Sequence, residues 1–273
     1  MNILECVNDP NLFKPFLGDY LTSWRHWLTA LKCLYGLPVH ESEHELIRQC
    51  TGRDPGALPQ EGFQSALFLV GRRSGKSRIA ALAAAFEAAL SNREQLLSRG
   101  ELGMVAVVSP TRSQSRIVRS YIRGCFDATP ILRAEVTSED RESFTLKNGV
   151  EINVLTGDYR HVRGFSLLST VVDEICYFGL SEEGKIRSDT ELVNALKPGL
   201  ATTAGRMICI GSPYSQKGWA HKTWKRCYGN DKAATLVWNA PSRTMNPTLP
   251  QSVVDQALEE DLQAAKEIGR AHV

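Results

Sequence analysis

Short, mostly apolar runs punctuate the chain at 66–70, 104–109, 167–172, 206–210 and 235–238. Runs that do not alternate with polar residues suit strands covered on both faces, as in parallel sheets packed between helices. A further pair, 143–146 and 150–155, faces across Lys147-Asn148-Gly149 and reads as a hairpin. Helical spacing fills the gaps. The alanine-rich stretch 77–90, a segment carrying Arg112, Arg116, Arg119 and Arg123, and an acidic stretch from Ser252 to about Lys266 all predict helices. Residues 1–60 carry Tyr20, Trp24, Trp27, Leu28 and Leu31 at helical spacing, with a break at Gly36-Leu37-Pro38. The pattern predicts an α/β protein with a mostly parallel central sheet flanked by helices. It divides into a helical segment (1–60), a core (61–240), a linker (241–266) and a tail (267–273).

Composition narrows the class only a little. With 273 residues, 42% hydrophobic and 23% charged, the chain is ordinary for a globular protein with a sizeable core. No apolar run approaches a membrane span, and the N-terminus lacks a signal pattern, so a cytoplasmic protein without membrane contact is expected. The seven cysteines never form a C-x-x-C pair, which argues against a disulfide framework or a zinc site. A net charge of +2 is too small to imply a nucleic-acid partner, so any such contact has to rest on local arginine clustering.

Two segments carry chemistry. The run 66–70 breaks at Gly71-Arg72-Arg73-Ser74-Gly75-Lys76-Ser77 and re-forms as a helix, so that backbone N–H groups and the helix N-terminus converge where a phosphate can sit. Lys76 adds a point charge for the β- and γ-phosphates, and Ser77 a hydroxyl for Mg²⁺. The run 167–172 then delivers Asp173 and Glu174 at its C-terminal end, where open α/β sheets place their ligands. Asp173 is expected to hold the Mg²⁺ shell, and Glu174 to polarise the attacking water. Nucleoside triphosphate binding and hydrolysis follow as the expectation. Val70 stands where the general G-x-x-x-x-G-K-[ST] template has its first glycine, and the plainer reading is a glycine turn joining strand to helix.

Other constellations are less specific. The four arginines at 112, 116, 119 and 123 share one helix face, which suits a phosphate backbone, a neighbouring subunit, or simply water. Arg163, beside Gly164 and ahead of the acidic strand, is a candidate to reach a γ-phosphate across a subunit boundary, or an ordinary exposed arginine. Ser212, at the end of the run 206–210, is a candidate γ-phosphate sensor or an ordinary turn serine. His40-Glu41-Ser42-Glu43-His44 matches the H-E-x-x-H of zinc proteases, but opens a polar helix where its acids favour the positive dipole end.

Taken together, these segments resemble the ATPase part of the large terminase subunit of tailed phages, a P-loop NTPase of the ASCE type. The resemblance runs from about Phe16 to Lys266. It rests on the phosphate loop with its early arginine, on Ser109-Pro110-Thr111-Arg112-Ser113-Gln114, on Val162-Arg163-Gly164 before Val172-Asp173-Glu174, on Gly211-Ser212-Pro213-Tyr214 and on Met245-Asn246-Pro247-Thr248-Leu249. It implies ATP and Mg²⁺ as cofactors, with Gly71, Arg72, Arg73, Ser74, Gly75, Lys76, Ser77 and Ser212 on the nucleotide. Ser77 and Asp173 would lie on the metal, and Glu174, Arg72 and Arg163 would be catalytic, with Arg163 acting in trans. Trp24, Trp27 and Arg53 are the candidates for an adenine pocket. The implied setting is a ring, usually of five subunits, on a portal protein, moving double-stranded DNA into a procapsid in the infected bacterial cytoplasm, with a small terminase subunit choosing the DNA. A helicase-like ATPase and a nucleotide-binding adaptor without turnover are the competing readings. Residues 267–273 look like a translated sequencing adapter, so the natural protein is expected to continue past Lys266 into a nuclease domain. Asp255, Glu259, Glu260 and Asp261 read as a solvated helix face.

Overall fold

A computed structural model of the chain describes residues 1–156, 165–179, 186, 188–214 and 217–256, and the backbone of the last helix to Glu260. Asp261 and the 267–273 tail lie outside the described residues. Four helices come first: α1 (Ile3–Asn8), α2 (Lys14–Leu17), α3 (Arg25–Tyr35) and α4 (His44–Thr51). The core follows as β1 (Ser65–Val70), α5 (Lys76–Ala89), β2 (Gly103–Ser109), α6 (Arg112–Asp127), α7 (Pro130–Glu135), β3 (Val136–Glu139), β4 (Ser143–Leu146) and β5 (Glu151–Thr156). It continues with β6 (Ser166–Asp173), α8 (Asp189–Ala201), β7 (Arg206–Gly211), α9 (Gly218–Cys227) and β8 (Thr235–Ala240), then α10 (Ser242–Met245) and α11 (Gln251–Glu260).

The eight strands form one sheet in the order β3-β4-β5-β2-β6-β7-β1-β8. From β5 to β8 all neighbours are parallel, and β4 runs against both of its partners. Every residue of β2 is buried, as a strand roofed on both faces requires. Alternate residues serve opposite layers. Ala66, Phe68 and Val70 pack with α1, α3, α5 and α6, while Leu67 and Leu69 pack with α8 and α9. Six successive small or apolar residues of α5, Ala80 to Ala85, are buried, so this helix is enclosed by the sheet, by α6 and, through Tyr35 on Phe86 and Phe16 on Arg78, by the N-terminal segment. The small alanine side chains allow that close approach.

Register sets up the site. Leu69 lies beside Gly211, and Asp173 beside Ile210, so the C-terminal ends of β1, β7 and β6 come level with β7 in the middle. The strand that ends in Ser212 thus stands between the phosphate-loop strand and the acidic strand.

The H-E-x-x-H match resolves as structure. A 3₁₀ turn at Glu41–Glu43 separates His40 from the helix that His44 begins. Glu43 is spent on Lys32 Nζ (2.7 Å), the Thr29 hydroxyl (2.6 Å) and the His40 N–H (2.8 Å), tying α3 to the start of α4. Cys6, Cys33, Cys50, Cys125, Cys209 and Cys227 are buried, Cys176 is half-buried, and all seven are free thiols. No helix among the described residues is long and apolar enough to cross a membrane.

Arg53 occupies a structural position. Its buried guanidinium donates to the carbonyls of Asp231 (3.2 Å), Ala233 (2.9 Å) and Thr235 (2.8 Å), and lies over the Phe63 ring. Those carbonyls precede or begin β8, at the opposite end of the sheet from the phosphate loop. The expected place in an adenine pocket is therefore corrected. Arg53→Met should leave these carbonyls without their donor and cost about 3 kcal/mol or more in urea unfolding. A loss below about 1 kcal/mol would show that the three bonds contribute little.

Candidate active site

The loop between β1 and α5 is shaped by two left-handed residues, Arg73 at φ 62° and Gly75 at φ 87°. Glycine is needed at 75 for a second reason: a Cβ there would come within 2.7 Å of the Trp24 ring. Backbone N–H groups of 73–77 are bonded to no acceptor among the described residues, and they gather at the N-terminus of α5. Three successive carbonyls of the loop are taken from outside. Ser242 Oγ donates to Arg72 O (2.6 Å), Asn246 Nδ2 to Arg73 O (2.8 Å) and Trp27 Nε1 to Ser74 O (2.7 Å).

Lys76 opens α5 and is buried. Its ammonium lies 3.0 Å from Glu174 Oε1 and 3.1 Å from Ser212 Oγ, while the Ser212 N–H donates to Glu174 Oε2 at 3.3 Å. Glu174 gets there through a left-handed backbone, φ 52° and ψ 46°, which turns the chain off the end of β6 into a 3₁₀ turn at Ile175–Tyr177. For a non-glycine residue that conformation costs on the order of 1 kcal/mol, and it aims the carboxylate back at β7 and Lys76. Arg72, exposed, reaches across to the Tyr177 hydroxyl at 3.4 Å, and the Tyr177 ring lies 4.8 Å from that of Tyr214. Ser77 is half-buried in the first turn of α5, and Arg73 is exposed.

Asp173 is 2% exposed, and its Oδ1 has no hydrogen-bond partner among the described residues. Burial, and then the neighbouring Glu174 charge, push its carboxyl up from the ordinary 3.8 to about 7, while Lys76 pulls the other way. These features fit a magnesium-bound polyphosphate. The loop offers free N–H donors and a cation, the strand end offers an unpaired carboxylate oxygen, and Ser74 Oγ is likewise buried without a partner.

Gly71, Arg72, Arg73, Ser74, Gly75, Lys76, Ser77, Asp173, Glu174 and Ser212 are thus gathered at one edge of the sheet. Arg163 lies outside the described residues. Of the adenine-pocket candidates, Trp24 lines a cavity of about 130 Å³ with Ser74, Gly75, Met245, Asn246 and Thr248. Trp27 is fully buried behind the loop, its ring 5.8 Å from that of Phe68, and faces no such cavity. Sequence reasoning gave no role to Tyr177 or Ser242, and quoted Asn246 without one. Its signal in the sequence was the Met245-Asn246-Pro247-Thr248-Leu249 motif that the resemblance rests on. Residues 241–249, read as the start of a linker, close over the loop.

The arginine stripe is partly neutralised. Arg119 pairs with Glu139 at 2.8 Å, and Arg123 with Glu139 at 3.2 Å and Asp127 at 3.4 Å. Arg112, Arg116 and Arg141 are exposed and make no ion pair among the described residues, in a groove that Glu142 and Thr156 also line.

An acid whose folded pKa is raised lowers stability as it ionises. Without divalent metal, the chain should lose stability from about pH 4 to about pH 7, because the folded state holds the Asp173 proton more tightly than the unfolded chain does. Asp173→Asn removes that slope and should be the more stable protein above pH 7, by up to about 4 kcal/mol. Urea unfolding in chelator at pH 5 and pH 8 tests this. An equal difference between the two proteins at both pH values would contradict it.

The sequence matches no family model and no curated protein. Among solved structures, the ATPase domain of the large terminase of Thermus phage P74-26 aligns with a TM-score of 0.58 and 16% identity, covering 89% of this chain and 98% of that one. An arginine-to-alanine mutant of the same domain gives the same values. The large terminase of bacteriophage HK97 aligns with a TM-score of 0.51 and 14% identity, over 87% of this chain and 45% of that one. The chain therefore has the fold of the ATPase domain of phage large terminases, an α/β architecture with a mostly parallel sheet flanked by helices.

Proposed function

We propose that this chain is an ATP-hydrolysing motor domain that drives double-stranded DNA into a viral procapsid. The observation that carries the reading is the meeting of Lys76, Ser212, Glu174 and the buried Asp173 beside the unbonded N–H groups of 73–77. The N–H groups and Lys76 bind the phosphates, Ser77 and Asp173 hold Mg²⁺, and Arg72 reads the γ-phosphate. Bound Mg²⁺ supplies charge neutralisation on the transferred phosphoryl group. Glu174 leaves Lys76 when a phosphate oxygen replaces it there, and then orients the attacking water. Ser212, in contact with both, passes the change on to β7.

Arg112, Arg116 and Arg141 support the duplex as partner, because unpaired guanidinium groups along one groove suit a phosphate backbone. The likeness to phage large terminases supports the remaining setting: a homo-oligomeric ring, here proposed as a pentamer, seated on a portal protein and fed by a small terminase subunit in the cytoplasm of an infected bacterium.

Phosphate release with and without duplex DNA tests the function. Lys76→Ala should abolish turnover and weaken ATP binding. Glu174→Gln should keep ATP but slow single-turnover hydrolysis by about 10²- to 10⁴-fold. Hydrolysis by Glu174→Gln at the wild-type rate would remove its assigned role. Stimulation by single strands rather than duplex, with strand separation, would make the chain a helicase-like ATPase, and ATP binding with no release at all an adaptor.

Arg163 is proposed to act on a neighbour's nucleotide. Arg163→Ala should be inactive alone and recover activity when mixed with Lys76→Ala. Mixed assemblies that form but stay inactive would leave Arg163 with no role in trans.

A further inference from the structure

We propose that Ser242, Asn246 and Trp27 are positioning residues that set the phosphate loop in its binding shape by holding its carbonyls turned outward. The proposal rests on the loop being a phosphate site. A peptide unit is planar and trans, so the carbonyl of one residue and the N–H of the next point in opposite directions. Fixing the carbonyls of Arg72, Arg73 and Ser74 on the outside therefore aims the N–H groups of Arg73, Ser74 and Gly75 inward. Each carbonyl has its own side-chain donor, at 2.6, 2.8 and 2.7 Å respectively. The Gly71 N–H, bonded to Ala240 O at 3.3 Å, anchors the foot of the loop to the same strand that leads into Ser242.

The donors are themselves held. Asn246 Oδ1 accepts from the Thr248 N–H (3.2 Å) and the Thr248 hydroxyl (2.6 Å), so its amide can face Arg73 only with nitrogen. Ser242 is fully buried at the start of α10, and the Trp27 indole is locked in the core. Arg73 is the residue that most needs such a partner. It is left-handed without being glycine, a conformation that is unfavourable unless its surroundings impose it. The loop thus takes its shape from α3 on one side and from residues 242–246 on the other, rather than from glycines alone.

Inorganic tripolyphosphate separates this role from a contact with the base. Asn246→Asp keeps the shape and the Thr248 bonds but sets an oxygen against the Arg73 carbonyl. Asn246→Ala removes the donor without adding charge. Titration calorimetry with Mg²⁺ should show ATP and tripolyphosphate weakened by the same factor, about tenfold or more for Asn246→Asp. Ser242→Ala should act in the same sense, and all three variants should melt close to the wild type. Unchanged affinity for both ligands overturns the proposal, as does a loss confined to ATP, or a loss that merely follows a lowered melting temperature. A wild-type chain that binds neither ATP nor tripolyphosphate overturns the phosphate reading itself, and this proposal with it.

Discussion

A lysine and two carboxylates are withdrawn from water at the level ends of three neighbouring strands, and the rest of the architecture follows from making that tolerable. An isolated charge in such a place is costly, and removing one partner of a buried ion pair typically costs about 3–5 kcal/mol. Lys76 is therefore met by Glu174 at 3.0 Å, and Ser212 serves both partners from the strand between them. The arrangement is one cation short. Asp173 has no hydrogen-bond donor for Oδ1 among the described residues, and burial together with the neighbouring Glu174 charge raises its pKa. A site left short of positive charge and rich in free N–H groups is matched to a ligand that brings anion and metal together.

The same constraint explains why the sheet needs its flanks. Parallel strands can carry the loop, the serine and the acids to one edge, but they cannot shape a loop that leaves the sheet. That task falls to α3 and to the short segment after β8, which lie far from the loop along the chain. The N-terminal helices are thus part of the site's construction, through Trp27 behind the loop and Trp24 against Gly75.

What could be read from sequence follows the same division. Strands buried on both faces announce themselves as mostly apolar runs, so β1, β2, β6, β7 and β8 were legible to within a few residues, while β4 and β5, which alternate buried and half-buried residues, were legible from the Lys147-Asn148-Gly149 turn between them. β3 was not, because Val136-Thr137-Ser138-Glu139 is a short, largely exposed edge with a register shift, and little of it is apolar. α8 was implied only by the alternation of strands, since Pro198 sits inside it and weakens any local helical signal. The loop chemistry was legible because lysine, serine and paired acids must stand at strand ends to act. Its outer donors were not, since Ser242 and Asn246 meet the loop only through folding, and a lone serine or asparagine carries no pattern. Arg53 shows the converse error: the family resemblance offered it as an adenine-pocket candidate in the N-terminal segment, whereas its burial among three carbonyls is invisible until the chain is folded.

Six of the seven thiols share a property with a practical consequence. Burial pushes Cys6 up to about 11 and Cys33, Cys50 and Cys176 up to about 12, and raises Cys125 and Cys209 as well. Electrophilic dyes react with thiolate, and at neutral pH these six groups present almost none. A cysteine placed in an open position such as Ser138 would therefore outcompete them for a maleimide fluorophore. Motion of the β3 edge could then be followed optically without first replacing those six cysteines.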